Sequence, residues 1–374
     1  MHRTNIFKAF LALVLLATVF AWGGAGGAQA HGNNGAVYIL TNQAAGNGVA
    51  AYTRANNGTL TYEGTYSTGG LGTGAGLGSQ GALALSYNDK WLFAVNAGSD
   101  EITVFSSDPY GVTFVDKVSS GGIRPISLTS HKDVLYVLNA GGSGNITGFN
   151  IGGDGHLTPI PGSTRPLSGA ATNPAQVQFN SNGRLLAVTE KGTNSIDTYT
   201  VNNKGIASGP ITTASAGTTP FGFAFGKSGK LIVSEAFGGA PDASAASSYT
   251  VAPNGSISVV SASVLTHQTA ACWLVLTDNE RYAYTTNAGS GSISGYSVGN
   301  DGSLSLLNAD GRTGVTGDGS NPIDLGLSKN SRFLYALTNG THGVSAFRVE
   351  ANGSLTPLPG ISGIPAGAVG LAAR

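Results

Sequence analysis

Residues 321–358 read NPIDLGLSKN SRFLYALTNG THGVSAFRVE ANGSLTPL, and much of the remaining chain is a variation on this stretch. A first apolar run, Ile323 to Leu327, stops at the turn residues Lys329-Asn330-Ser331-Arg332. A second, Phe333 to Leu337, ends by Asn339. After a Gly-containing loop, Val344 to Val349 leads into Asn352-Gly353, and Ser354 to Leu358 completes the unit. Runs this short, bounded by Gly, Asn and Ser, read as strands, and an Asn-Gly pair tolerates the positive φ of a tight hairpin. Four short antiparallel strands make one unit.

Working outward, the unit recurs at a period of about 43 to 54 residues, the size range of propeller blades. Its last hairpin reappears at Asn57-Gly58, Asp154-Gly155, Asn254-Gly255 and Asp301-Gly302, and its first at Asn182-Gly183, Ser228-Gly229 and Asn279-Glu280. The second strand is marked at its end by Asn42, Asn96, Asn139, Glu190, Glu235, Asn287 and Asn339. One mark per unit predicts an all-β, seven-bladed β-propeller over residues 31–374, a single domain. Residues 37–66 lack a first strand, and Pro365 to Leu371 resemble one. The ring is therefore expected to close by pairing the C-terminal strand with the N-terminal blade, which leaves no free radial edge.

Arg3 and Lys8 precede an apolar run from Ala9 to Trp22, and Ala28-Gln29-Ala30 supplies a small-x-small cleavage pattern. Residues 1–30 thus read as a secretory signal peptide, with the product secreted or periplasmic. No other segment is apolar enough to predict membrane insertion. Charged residues form 10% of the chain with a net charge of zero, against about 25% in average proteins, so nothing favours nucleic acid as a partner. A monomer acting on a small molecule, or meeting a surface ligand, is the expectation. The one cysteine, Cys272, stands among apolar neighbours and reads as a buried, inert thiol.

Departures from the repeat point to candidate site residues. Glu190 and Glu235 replace the strand-ending Asn, and Lys191 follows the first of them. His267 lies on the bridge into the sixth blade, and Arg124 stands before Pro125. Trp273 takes the channel-facing place held elsewhere by Gln176, Gly222 and Asp324. Carboxylates with a His and an Arg could move a proton and steady an oxyanion, with Lys191, Gln176, Trp273 and Asp324 contacting substrate. A strand-end carboxylate equally serves as an acceptor for backbone N–H groups. The site is expected on the face carrying the inter-blade linkers, with the hairpin face structural. Histidines lie on separate blades without a zinc spacing, and no cofactor motif is present. A channel-bound calcium stays open, because Glu, Asn and Asp ligands need no fixed spacing.

Arg332 to Asn339, followed by Val344 to Val349 and Asn352-Gly353-Ser354-Leu355, resembles the seven-bladed β-propeller lactonase family, which includes 6-phosphogluconolactonases and carboxymuconate-lactonising enzymes. The resemblance spans residues 35 to 374. It implies a lactone-type or carboxylate-bearing small molecule, and together with the signal-peptide pattern the expectation is an exported, lactonase-like protein that hydrolyses or forms a lactone ring. Where the family's Pro-His-x-His segment would stand, this chain has Asn173-Pro174-Ala175-Gln176-Val177-Gln178, without histidine. The alternative is a non-catalytic binding or cell-envelope interaction propeller.

Overall fold

A computed structural model describes Met1, residues 35–108 and residues 111–374; the segment read as a signal peptide lies, Met1 apart, outside the described residues. The described residues form seven antiparallel sheets of four strands, six of them in sequential order and one that joins the last strand to the first three, and two of the seven add a further short strand. The seventh blade matches the opening stretch closely, with strands Pro322–Leu327, Phe333–Thr338, Gly343–Val349 and Leu355–Ser362. Blades are numbered here in chain order of their second strands.

Closure runs through the termini of the domain. Val369–Ala373 pairs with Gly35–Leu40, setting Ile39 opposite Leu371 and Val37 opposite Ala373. It is the innermost strand of blade one, as the missing first strand requires.

Burial follows radial position. Second strands such as Phe333–Thr338 and Leu185–Glu190 are buried at every residue, because both faces of a blade pack on neighbouring blades. Outer strands alternate or open to solvent, as in Ala207–Ala214. The core is a set of apolar layers between blades, fastened by a repeated tyrosine. Tyr136 donates its hydroxyl to Gly205 O (2.7 Å), Tyr284 to Gly353 O (2.8 Å) and Tyr335 to Gly58 O (2.7 Å), each reaching the last hairpin of the following blade. The Asn-Gly turn is thus also an acceptor for its neighbour. Gly58 needs its lack of a side chain there: φ is 91°, and a Cβ would stand 2.5 Å from the Phe333 ring.

Strand pairing shifts one sequence reading. Asn96, Asn139, Glu190, Glu235 and Asn287 each end a second strand opposite the first residue of the third. In blade seven that place belongs to Thr338, opposite Gly343, and in blade one to Thr41, whose N–H donates to Gly48 O. Asn339 and Asn42 lie one residue further on.

Candidate functional site

The innermost strand of each blade has no neighbour inside the ring, so its backbone N–H groups need side-chain partners. Ser127 Oγ accepts from Val177 N (3.1 Å), and Gln176 pairs with both backbone groups of Phe223, accepting at 2.8 Å and donating at 3.0 Å. Asp324 Oδ2 accepts from Leu371 N (3.0 Å). In each case a side chain from one inner strand serves the next.

Blades five and six break this ring, and the breaks explain each other. Gly222 has no side chain, and Gln80 fills its place from the linker between blades one and two, reaching across the channel to Leu274 N (3.0 Å) and Leu274 O (2.8 Å). A Cβ on Gly222 would stand 2.1 Å from Gln80 Oε1. Trp273 offers no acceptor, so Leu325 N turns to Asp324 Oδ1 (2.8 Å). Asp324 therefore takes two amide protons. Burial pushes its carboxyl up to about 8, against the opposing pull of those two bonds.

The linker-face half of the channel is filled. Trp273 donates its indole N–H to Ser79 O (2.8 Å) and lies 4.8 Å from the Phe221 ring. The Lys191 ammonium donates to Gly78 O and to Pro174 O (3.2 Å), 4.7 Å from the centroid of Phe221. Burial lowers its pKa to about 8, and Arg124 adds like-charge repulsion. Burial pushes the neighbouring Cys272 thiol up to about 12.

Glu190 and Glu235 are fully buried, and their oxygens are occupied. Glu190 accepts from Ser168 N (3.0 Å), from the Ser168 hydroxyl and from Thr193 Oγ1 (2.6 Å). Beside it, Asp197 is raised to about 7, first by burial and then by the Glu190 carboxylate, while Thr212 Oγ1 donates to it at 2.6 Å. Glu235 accepts from Gly217 N (2.8 Å), Ser247 Oγ (2.5 Å) and Ser263 Oγ (2.7 Å). Burial raises its pKa and those bonds oppose the rise. The Asn blades make the mirror-image contact. Asn139 donates to Ser120 O (3.2 Å), and Asn287 donates to Ser294 Oγ, which passes a proton on to Gly311 O. In blade three the linker presents a carbonyl and the strand end is Asn; in blades four and five it presents N–H and the strand end is Glu.

These carboxylates do not share a cavity with His267, which is exposed and makes no side-chain hydrogen bond among the described residues. Arg124 is exposed and reaches only the field of Lys191. The expected group of Glu190, Glu235, His267 and Arg124 is thus spread over separate blades. No three His, Cys, Asp or Glu side chains gather as a metal-holding group among the described residues.

The open end lies on the opposite face from the one expected. A cavity of about 380 Å³ is lined by Gln80, Gln176 and Asp324 inside the channel and by Ser130, His131 and Asn180 at the first hairpins of blades three and four. Three donors here lack an acceptor among the described residues. Ser130 Oγ is buried without a partner. Gln178 spends its oxygen on Phe225 N (3.2 Å), and Asn180 on Arg184 N (3.0 Å) and Leu185 N (3.1 Å), so both amide nitrogens stay free. Burial, with Lys132 adjacent, lowers the His131 pKa and favours the neutral ring. Sequence reading passed over this place, although His131-Lys132-Asp133 departs from the Asn-Gly and Ser-Gly hairpins elsewhere.

The family model for the lactonase, 7-bladed β-propeller, matches residues 28–166. Three solved structures share the fold over 91% of this chain. A Bacteroides fragilis protein assigned as a 6-phosphogluconolactonase is 18% identical, with 98% of it covered and a TM-score of 0.73. A Lactobacillus plantarum protein is 17% identical, with 99% covered and 0.73. The periplasmic gluconolactonase of Pseudomonas aeruginosa is 15% identical, with 98% covered and 0.71. No curated protein matches the chain. By its seven closed blades the chain is a seven-bladed β-propeller, and over its first three blades it is similar to the lactonase, 7-bladed β-propeller family.

Proposed function

We propose that the protein is an exported lactonase that hydrolyses a small, hydroxyl-bearing lactone held in the channel cavity of the hairpin face. The observation that carries this reading is a single cavity lined by a His131 ring kept neutral, by Gln178 and Asn180 with amide nitrogens that have no acceptor among the described residues, and by Ser130, whose buried hydroxyl has no partner. A buried polar atom without a partner asks for one from a ligand. In the proposed reaction His131 takes a proton from water as the water oxygen bonds to the lactone carbonyl carbon. Ser130 Oγ–H, Gln178 Nε2 and Asn180 Nδ2 are donors for the oxyanion that forms. When the carbonyl returns, the ring C–O bond breaks and the leaving alkoxide takes the proton back from the imidazolium, which gives a hydroxy acid. Export rests on the pattern of residues 1–30, and the periplasmic gluconolactonase among the fold relatives is consistent with both compartment and substrate class.

Proton release in a pH-stat across γ- and δ-lactones tests the reading. Turnover should be abolished in His131→Gln with the melting temperature unchanged. It should also fall as pH drops, with a midpoint on the acid side of the ordinary imidazole value of 6.5. Silence across the panel, or full turnover in His131→Gln, would overturn it and leave a binding propeller.

A further inference from the structure

A second concavity on the hairpin face, about 590 Å³, lies between blades three and four. It adjoins the channel cavity at His131 and Phe179, which line both. In a chain with 19 Lys and Arg among 374 residues, three of them, Lys132, Arg184 and Lys204, line this one groove. None of the three is ion-paired among the described residues. Asp133 is the one carboxylate in the lining, so a net charge of two is left uncompensated.

The neutral groups have the same bias. Asn182 Oδ1 accepts from Arg184 N (2.9 Å), and Asn202 Oδ1 accepts from Lys204 N (2.9 Å) and Ile206 N (3.0 Å). The Asn203 oxygen is taken by the Arg184 guanidinium. With the oxygens spent on local turns, three amide nitrogens remain as donors without acceptors among the described residues. Among the described residues Asp133 and Asn150 keep free oxygens, and the cations and amide donors outnumber them in the lining. The corresponding groove between blades six and seven is different: it measures about 180 Å³, and its Glu350 accepts from Arg348 (2.7 Å) and Thr356 (2.6 Å).

From this arrangement we infer that the groove between blades three and four is a binding site for a dianionic oxyanion, a phosphate group or a dicarboxylate, separate from the channel cavity. Such a ligand neutralises the net charge and accepts from the free amides. Arg184 supplies a planar fork, and Lys132 and Lys204 act as point charges.

Isothermal titration of the purified protein with inorganic phosphate and, separately, with malonate, at low and at physiological salt, is the test. Saturable binding of at least one anion is expected, and it should weaken as salt rises. The double change Arg184→Ala with Lys204→Ala should raise Kd by about tenfold or more. Arg332→Ala, in the blade six and seven groove, should leave Kd unchanged. Both sets of side chains are exposed, and an unchanged melting temperature would confirm intact folding. Phosphate binding without malonate binding identifies a phosphate ligand, and the reverse a dicarboxylate. No saturable binding of either at low salt, or a Kd unmoved by the double change, would overturn the inference. The double change also separates this site from the proposed lactonase: Arg184 and Lys204 do not line the channel cavity, so lactone turnover should persist when anion binding is weakened.

Discussion

At the linker face the channel is filled by Trp273, Phe221, Lys191 and the Gly78 to Gln80 segment, whereas at the hairpin face it widens into the cavity of Ser130, His131 and Asn180. At the filled end the indole N–H, the lysine ammonium and the Gln80 amide all have protein partners. At the open end a hydroxyl and two amide nitrogens have none among the described residues. A residue that breaks a repeat can therefore be a repair of the ring, as at the filled end, or a gap left for something else to complete. Position in the sequence does not separate the two; hydrogen-bond accounting does.

The largest expected effect is at the filled end. Trp273→Ala removes a buried ring packed on Phe221 and strands the Ser79 carbonyl, which should cost about 3–5 kcal/mol of stability by denaturant unfolding. A loss under about 1 kcal/mol would mean that the plug is loosely packed and that the two ends are less different than they look. Next in size is Glu235→Gln. One oxygen facing donors becomes an NH₂ group, and a loss of about 1–3 kcal/mol is expected, with lactone turnover per folded molecule retained. Turnover abolished at full stability would return that carboxylate to the chemistry.

Stability should also vary with pH in two opposed windows. Asp197 and Asp324 are raised from 3.8 to about 7 and about 8, so the folded state holds protons that the unfolded chain has released, and stability declines as pH rises from 3.8 towards 8. Lys191 is lowered from 10.5 to about 8, so its penalty is present below 8 and is relieved as pH rises from 8 to 10.5. The two slopes meet in a stability minimum near pH 8, and the rise is confined to about one pH unit, because Cys272, raised from 9.0 to about 12, contributes a decline above pH 9. Melting temperatures across pH 5 to 10 should trace it, and Lys191→Met should remove the rising limb.

The blades were legible in the sequence because Asn-Gly and Asp-Gly hairpins and apolar runs are local signals, and a period multiplies them. The one-residue shift to Thr41 and Thr338 was not, since only cross-strand pairing fixes which residue ends a strand. The departures at Glu190, Glu235 and Trp273 were visible, but their physical setting was not. Whether a linker offers N–H or C=O to a strand end, and whether Gln80 crosses the channel to occupy the space above Gly222, depends on contacts between residues far apart in the chain. His131 was noticed only as a histidine without a zinc partner, because its hairpin meets the channel in three dimensions.

The smallest effect on stability should come from Ser130→Ala, which makes it the sharpest probe of the open end. A buried hydroxyl without a partner contributes desolvation cost and no hydrogen bond, so its removal should leave stability within about 0.5 kcal/mol or raise it slightly. Trp273→Ala at the other end should do the opposite. If Ser130 Oγ–H donates to a lactone oxyanion, the same change should lower kcat by about a hundredfold while KM moves little, because the bond is made chiefly in the transition state. A loss of stability with kcat unchanged would mean that the hydroxyl is satisfied within the fold, and the distinction between the filled and open ends would then rest on His131 and the two free amides alone.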